Sequence, residues 1–143
     1  MDGIVKNTGT IFTVEREVCG YPLCVGIKRI GEDLLISVEG GQKPHIGCVI
    51  KSIPRLSLTG DGSYSASSSV LNLSGHKDEY LCRKLSEQIC AACQTTVVCT
   101  GGVHIDQITK EEIREIIRTV EELGNVVIRH IKKRESASST PRS

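Results

Sequence analysis

The chain has 143 residues, with no tryptophan, one phenylalanine and one methionine. With so few large aromatic side chains, it offers no platform on which nucleic-acid bases could stack. It also has little net charge: 18 basic residues against 17 acidic ones leave +1, and the two signs are interleaved. The basic footprint of a nucleic-acid binder is missing, so no nucleic-acid partner is expected. No apolar run approaches the roughly 20 residues that span a bilayer, and the first residues do not follow the basic-then-apolar order of a secretory leader. No membrane association and a cytoplasmic location are expected.

Several catalytic signatures are missing as well. There is no Gly-x-Ser-x-Gly elbow, no dinucleotide fingerprint and no phosphate-binding P-loop. The seven cysteines are an odd number without a secretory signal, which argues for reduced thiols, and their mostly apolar neighbours argue for core positions. Cys90-Ala91-Ala92-Cys93 falls late in a predicted helix, away from the N-terminus that activates redox pairs, and no second pair at zinc-finger spacing follows. Cys48 and Cys99 fall within predicted strands, where a thiol is normally inert, so covalent catalysis is not expected.

The chain nevertheless has a clear order of elements. Thr10 to Val18 and Tyr21 to Ile30 are β-rich runs split by Cys19-Gly20, which predicts a hairpin. Leu34 to Val38 follows the turn at Gly31 to Asp33 as a third strand, and Ile46 to Ile53 is a fourth, stopped by Pro54. The serine-rich segment from Arg55 to Leu73 reads as a mobile flap, a loose hairpin or a flexible linker. A helix from about His76 to Cys93 carries Leu81, Leu85 and Ile89 as its apolar stripe, with Ser74 as a cap. In its first turn Asp78 and Glu79 suit the helix dipole.

Thr95 to Thr100 is a buried strand, and Thr109-x-x-Glu112 is a capping box that opens a long helix with a weak point at Gly124. His130 on that helix is expected at the surface. No internal repeat is visible. The expected fold is α+β, a mostly antiparallel sheet of about five or six strands with two helices packed on one face. Residues 1–134 form one domain, and 135–143 a disordered tail.

Three of the four histidines lie in short glycine-flanked clusters: Gly40-Gly41-Gln42-Lys43-Pro44-His45-Ile46-Gly47, Ser74-Gly75-His76-Lys77-Asp78-Glu79 and Gly101-Gly102-Val103-His104-Ile105-Asp106. Each falls where a regular element begins or ends, so the three should meet in one composite site at an edge of the sheet. Two chemistries fit. His104 and Asp106, two apart, point the same way in extended backbone, and His76 and Glu79, three apart, share a helix face. With His45 they form a ligand set, His45, His76, Glu79, His104 and Asp106, for zinc or another divalent metal. Alternatively, the amides of Gly75 to Asp78 at a helix N-terminus, with Lys77 and Lys43 nearby and Gly101-Gly102 allowing close approach, suit a phosphate. Asp106 can also simply start the turn before the second long helix.

Taken together, Gly40-Gly41-x-x-Pro44-His45-Ile46-Gly47, Gly75-His76-Lys77-Asp78-Glu79 and Gly102-Val103-His104-Ile105-Asp106, followed by Thr109-x-x-Glu112, resemble the prenylated-flavin chaperone-like domain family, typified by the small D subunit of gallate decarboxylase. The resemblance runs from about Leu34 to Val120. Cys48 and Val103 stand where the family commonly has Ala and Ile, changes that leave the histidines intact.

The resemblance implies an accessory protein, not a catalyst, that binds reduced prenylated FMN, or FMN itself, and carries it between a flavin prenyltransferase and a UbiD-type decarboxylase. Under it, Gly41, Lys43, His45, Gly75, His76, Lys77, Gly102 and His104 are the cofactor-binding residues. The imidazoles would lie near the ring or hold a metal. The contrasting reading is a small metal-dependent hydrolase or lyase using the same His, Asp and Glu residues. Apolar sheet positions with too little helix to cover both faces predict self-association into a homo-oligomer.

Overall fold

The computed structural model of the chain describes residues 3–4, 11–72 and 77–138. β1 (Ile11–Val18) and β2 (Tyr21–Ile30) form the expected hairpin, and Cys19 and Gly20 both take positive φ, as a two-residue type I′ turn requires. β3 (Asp33–Gly41) follows, then β4 (Cys48–Leu56), β5 (Tyr64–Asn72), α1 (Lys77–Cys93), β6 (Val97–His104) and α2 (Lys110–Ser138). The six strands make one sheet in the order β1-β2-β3-β6-β4-β5. β3 and β6 pair in parallel, and every other neighbouring pair is antiparallel. The α+β expectation therefore holds.

One face of this sheet is buried by the two helices. Leu23, Val25 and Ile27 of β2, Leu34, Ile36 and Val38 of β3, Cys48 and Ile50 of β4, and Val97, Cys99 and Val103 of β6 alternate with exposed or half-exposed residues. This two-residue period meets Leu81, Leu85 and Ile89 of α1 and Ile116, Val120, Leu123, Val127 and Ile131 of α2 in one core. A polar seam crosses it: Ser52 on β4 lies 2.7 Å from Ser86 on α1 and 2.8 Å from Ser68 on β5, and Ser68 donates to Glu87. Every buried hydroxyl in that seam has a partner, as a dry interior requires.

The structure corrects several sequence expectations. β4 starts at Cys48 and runs through Pro54 instead of stopping before it. Its pairing with β6 ends at Ser52, so Pro54 needs no N–H on that side and pairs with Ala66 of β5 on the other. The serine-rich segment is neither flap nor linker; it supplies β5, an edge strand whose polar side chains face water or the Ser52 seam. Thr95 to Thr100 is too short an estimate for β6, which continues through the glycine cluster to His104 because Gly101 and Gly102 remain paired to Val38 and Glu39.

α2 passes Gly124 without a break. A side chain there would overlap the Gln88 carboxamide, which donates to the Glu121 carbonyl at 3.1 Å and to Asn125 at 2.9 Å and so ties α1 to α2. The helix runs on to Ser138, so residues 135–138 of the expected tail are helical, and 139–143 lie outside the described residues. The capping box forms as expected: Glu112 N–H donates to the Thr109 hydroxyl, and Thr109 N–H donates to the Glu112 carboxylate, each at 3.1 Å. His130 is exposed, its ring 4.4 Å from that of Phe12.

The cysteines are free thiols, and Cys48, Cys82, Cys90 and Cys99 are buried. Burial, then the neighbouring Cys82, pushes the Cys48 thiol up to about 12, and burial lifts Cys90 to about 11. These thiols stay protonated and poor nucleophiles near neutrality. A raised folded-state value means stability is intact below about 9 and is lost as the pH climbs from there towards 12. We expect the urea midpoint to fall less steeply from pH 8 to pH 11 in Cys48→Ala than in the parent chain. Parallel pH dependences would refute the assignment.

Candidate functional site

The parallel pairing of β3 with β6 brings the first and third clusters together. In this register Gly41 lies beside His104, and the chain then turns back over the end of β6: Gln42 N–H donates to the His104 carbonyl at 2.7 Å, and Gly47 N–H to the Gly101 carbonyl at 2.9 Å. Gly41 has φ +76, and a Cβ there would overlap the His104 carbonyl. Glycine is required because only it takes this conformation at so close an approach. The loop of residues 42–47 therefore lies across the C-terminal ends of the two central strands, not at an outer edge of the sheet.

Asp78, in the first turn of α1, joins this loop to β6. β4 begins at Cys48, opposite Gly101, so the N–H of Val103 has no strand partner on that side. The Asp78 carboxylate takes its place, with Oδ1 accepting from Val103 N–H at 3.1 Å and Oδ2 lying 2.8 Å from His45 Nε2. Asp78 is buried, while the His45 side chain is 40% exposed. The other ring nitrogen, Nδ1, lies 3.0 Å from the Lys43 carbonyl. Both nitrogens thus lie against oxygen atoms of the chain itself.

The ring lies over Gly102, whose absent Cβ would come within 2.8 Å of its Cε1 and Nε2. Sequence reading gave Asp78 only a helix-dipole role and missed it as an anchor. The available signal was the glycine at both Gly47 and Gly102, the two places where a Cβ would crowd the carboxylate.

His104 is held in the same way. Its Nε2 lies 2.9 Å from Asp106 Oδ1, the same-side pairing expected of residues two apart, and Asp106 N–H donates to the Gln42 side chain at 2.7 Å. The His45 and His104 rings face edge to face with centroids 6.4 Å apart. Each imidazole is oriented by a carboxylate and is partly exposed, and His104 keeps a second ring nitrogen with which to meet a ligand. Lys43 is exposed on the same loop, whereas the Lys77 ammonium donates to the Val103 carbonyl. Beside His45, a depression of about 220 Å³ opens on the helix-free side of the sheet, walled by Ser37, Glu39, Pro44, Ile46 and Thr100. A larger groove of about 490 Å³ between α1 and α2 contains none of these groups.

The second cluster joins this site only in part. Ser74, Gly75 and His76 lie outside the described residues. Glu79 turns away from the imidazoles: Asn72 donates to it at 3.1 Å, and Arg83 lies 3.8 Å from it. Among the described residues, no three His, Cys, Asp or Glu side chains gather closely enough to hold one ion. Those residues also include no helix long and apolar enough to cross a membrane.

Residues 18–132 match the prenylated flavin chaperone LpdD-like domain, a span that contains both imidazole–carboxylate pairs. The chain belongs to that family. Protein LpdD of Lactiplantibacillus plantarum is 29% identical over 122 residues, which cover 81% of this chain and 82% of the relative. Among solved structures, a chaperone complex for yeast 20S proteasome assembly covers 80% of this chain and 98% of its own, at 8% identity and a TM-score of 0.44. A likeness that distant says nothing about function. The family membership supports a prenylated-flavin chaperone role, and the site just described lies wholly within the matched segment.

Proposed function

We propose that the chain binds reduced prenylated FMN and delivers it to a UbiD-type decarboxylase or carboxylase, taking it from a flavin prenyltransferase in the cytoplasm. The observation that carries this reading is the pair of exposed imidazoles, each fixed by its own carboxylate, facing each other across 6.4 Å inside the segment that matches the family. The residues present fit such a ligand. His104 would donate to the polar edge of the ring system through the nitrogen that Asp106 does not engage, and His45, whose two nitrogens are held by Lys43 and Asp78, would offer the exposed part of its ring as a contact surface. Lys43 would meet the phosphate. Lys77, at the start of α1, would add positive charge for the same phosphate.

When bound, the cofactor supplies the chemistry of the recipient enzyme, and this chain needs only to hold and release it. Among the described residues the exposed site carries no activated nucleophile, which suits holding better than turnover. The metal-dependent alternative is not favoured, because Glu79 is engaged with Asn72 and Arg83 and both nitrogens of His45 face acceptors.

Anaerobic titration of the folded chain with reduced prenylated FMN should give a saturable change in absorbance and heat. Co-expression with a UbiD-type enzyme and the prenyltransferase should raise the cofactor-loaded fraction of that enzyme. A folded protein showing neither change would end this proposal.

A further inference from the structure

The face of the sheet opposite the helices is left uncovered by the described residues, and its side chains fall into three rows fixed by the strand register. The first row runs Ile11, Lys28, Leu35, Val98 and Lys51. The middle row runs Thr13, Gly26, Ser37, Thr100, Val49 and Leu71. The third carries Glu15, Cys24 and Glu39 and reaches Gly102, beneath His45.

Three features of this face belong together. The middle row has no charge and is mostly small, so a second layer can pack closely on it, and Leu71 at its end and Ile11 in the first row are 73% and 60% exposed. The outer rows carry opposite charges, with Lys28 and Lys51 in the first and Glu15 and Glu39 in the third. A two-fold axis along the middle row lays the first row of one copy over the third row of the other. Lys28 then falls between Glu15 of the partner subunit and Glu39 of the partner subunit.

Finally, the 220 Å³ depression at His45 opens onto this face and is small beside the roughly 300–1,000 Å³ of pockets that enclose a cofactor. A neighbouring depression of about 260 Å³ shares Ser37 and Thr100 with it, and no described residue roofs either. Six strands spaced ~4.8 Å apart and about 20 Å long give a flat projection of roughly 500–600 Å², which side-chain relief brings near the ~800 Å² per partner of a standard interface.

We propose that this face is the interface of a two-fold homodimer in which two sheets stack, and that each cofactor site is completed by the other copy. The same axis brings Lys51 of the partner subunit towards the His45 depression. Within one chain Lys51 is four residues, or ~13 Å, along β4 from Gly47, beyond easy reach of that site. The identity of the ligand rests on the proposed function; the interface does not.

Light scattering and sedimentation of the full chain without ligand should give about twice 15.5 kDa at tens of micromolar. Ser37→Arg should yield monomer. Lys28→Glu, at an exposed position that leaves the fold intact, should raise the dimer dissociation constant at least about tenfold, and adding Glu15→Lys and Glu39→Lys should restore it. Lys51→Ala should remain dimeric and bind reduced prenylated FMN about tenfold more weakly.

A parent chain that is monomeric at about 100 µM, or a dimer indifferent to both Ser37→Arg and Lys28→Glu, would overturn the interface. Unchanged affinity in Lys51→Ala would overturn the shared site. A charge-sensitive dimer that binds no flavin would remove the carrier function and leave the interface standing. A monomer that binds flavin would do the reverse.

Discussion

Gly101→Ala should yield little or no soluble folded protein, with a loss above about 4 kcal/mol, enough to cancel most of the margin of an ordinary domain. Gly101 has φ +135 in the middle of β6, and a Cβ there would overlap the Val38 carbonyl of the adjacent central strand. The obstacle is backbone in a paired parallel ladder, so it cannot swing aside as a side chain would. Gly102→Ala makes the informative comparison. Its Cβ would meet the His45 ring at 2.8 Å and the Asp78 carboxylate at 2.9 Å, both on side chains that can move. That variant should fold and lose flavin affinity instead. Solubility, circular dichroism and an anaerobic titration of both variants separate the two effects; a soluble Gly101→Ala with parental melting would contradict the strain assigned to this position.

Asp78→Ala should be the most damaging change at the site itself. It removes the acceptor for Val103 N–H, which is then buried without a partner, and frees His45 from its anchor. A buried donor left unpaired together with a lost charged hydrogen bond amounts to about 2–3 kcal/mol, or a fall in Tm of roughly 6–12 °C for a chain of this size. Asp78→Asn separates the two roles, because its carboxamide oxygen still accepts from Val103 while the negative charge facing His45 is gone. It should keep most of the stability and bind reduced prenylated FMN some 10- to 100-fold more weakly. A Tm for Asp78→Ala within about 2 °C of the parent chain would mean that the carboxylate does not complete the β6 ladder.

Much of this architecture is legible in the sequence because local rules decide it. The Cys19-Gly20 turn, the Thr109–Glu112 box and the apolar stripes of both helices follow from backbone preference and periodicity within a few residues. What was misread depends on neighbours distant in the chain. Pro54 reads as a stop unless it is known that β6 no longer pairs with β4 at that point. The serines of β5 read as flap, loose hairpin or linker alike until Ser52 and Glu87 supply partners for Ser68 and settle the hairpin. The long helix expected through Gly124 does form, and what the sequence leaves out is why a glycine stands there: Gln88 fills the space beside it.

At the site, the His104–Asp106 pair is local and was foreseen. The grip of Asp78 on His45 joins residues 33 apart and was not. No spacing rule could show it, because it depends on β4 starting at Cys48, opposite Gly101 and so two positions too late to satisfy Val103.

The place of β6 in the sheet has a further consequence for how the protein forms. β1 to β3 form a meander and β4 and β5 a hairpin, each of which can close locally, and β6, sixth in the chain, is the strand that bridges them. Its pairing with β3 joins residues more than sixty positions apart and must meet the full entropy of closing that loop. The halves of the binding site are carried by those same two strands, so no partly folded chain possesses it. Under the proposed function, cofactor capture would therefore report completed folding, and amide exchange at Val103 should slow to the global unfolding limit as soon as the site exists.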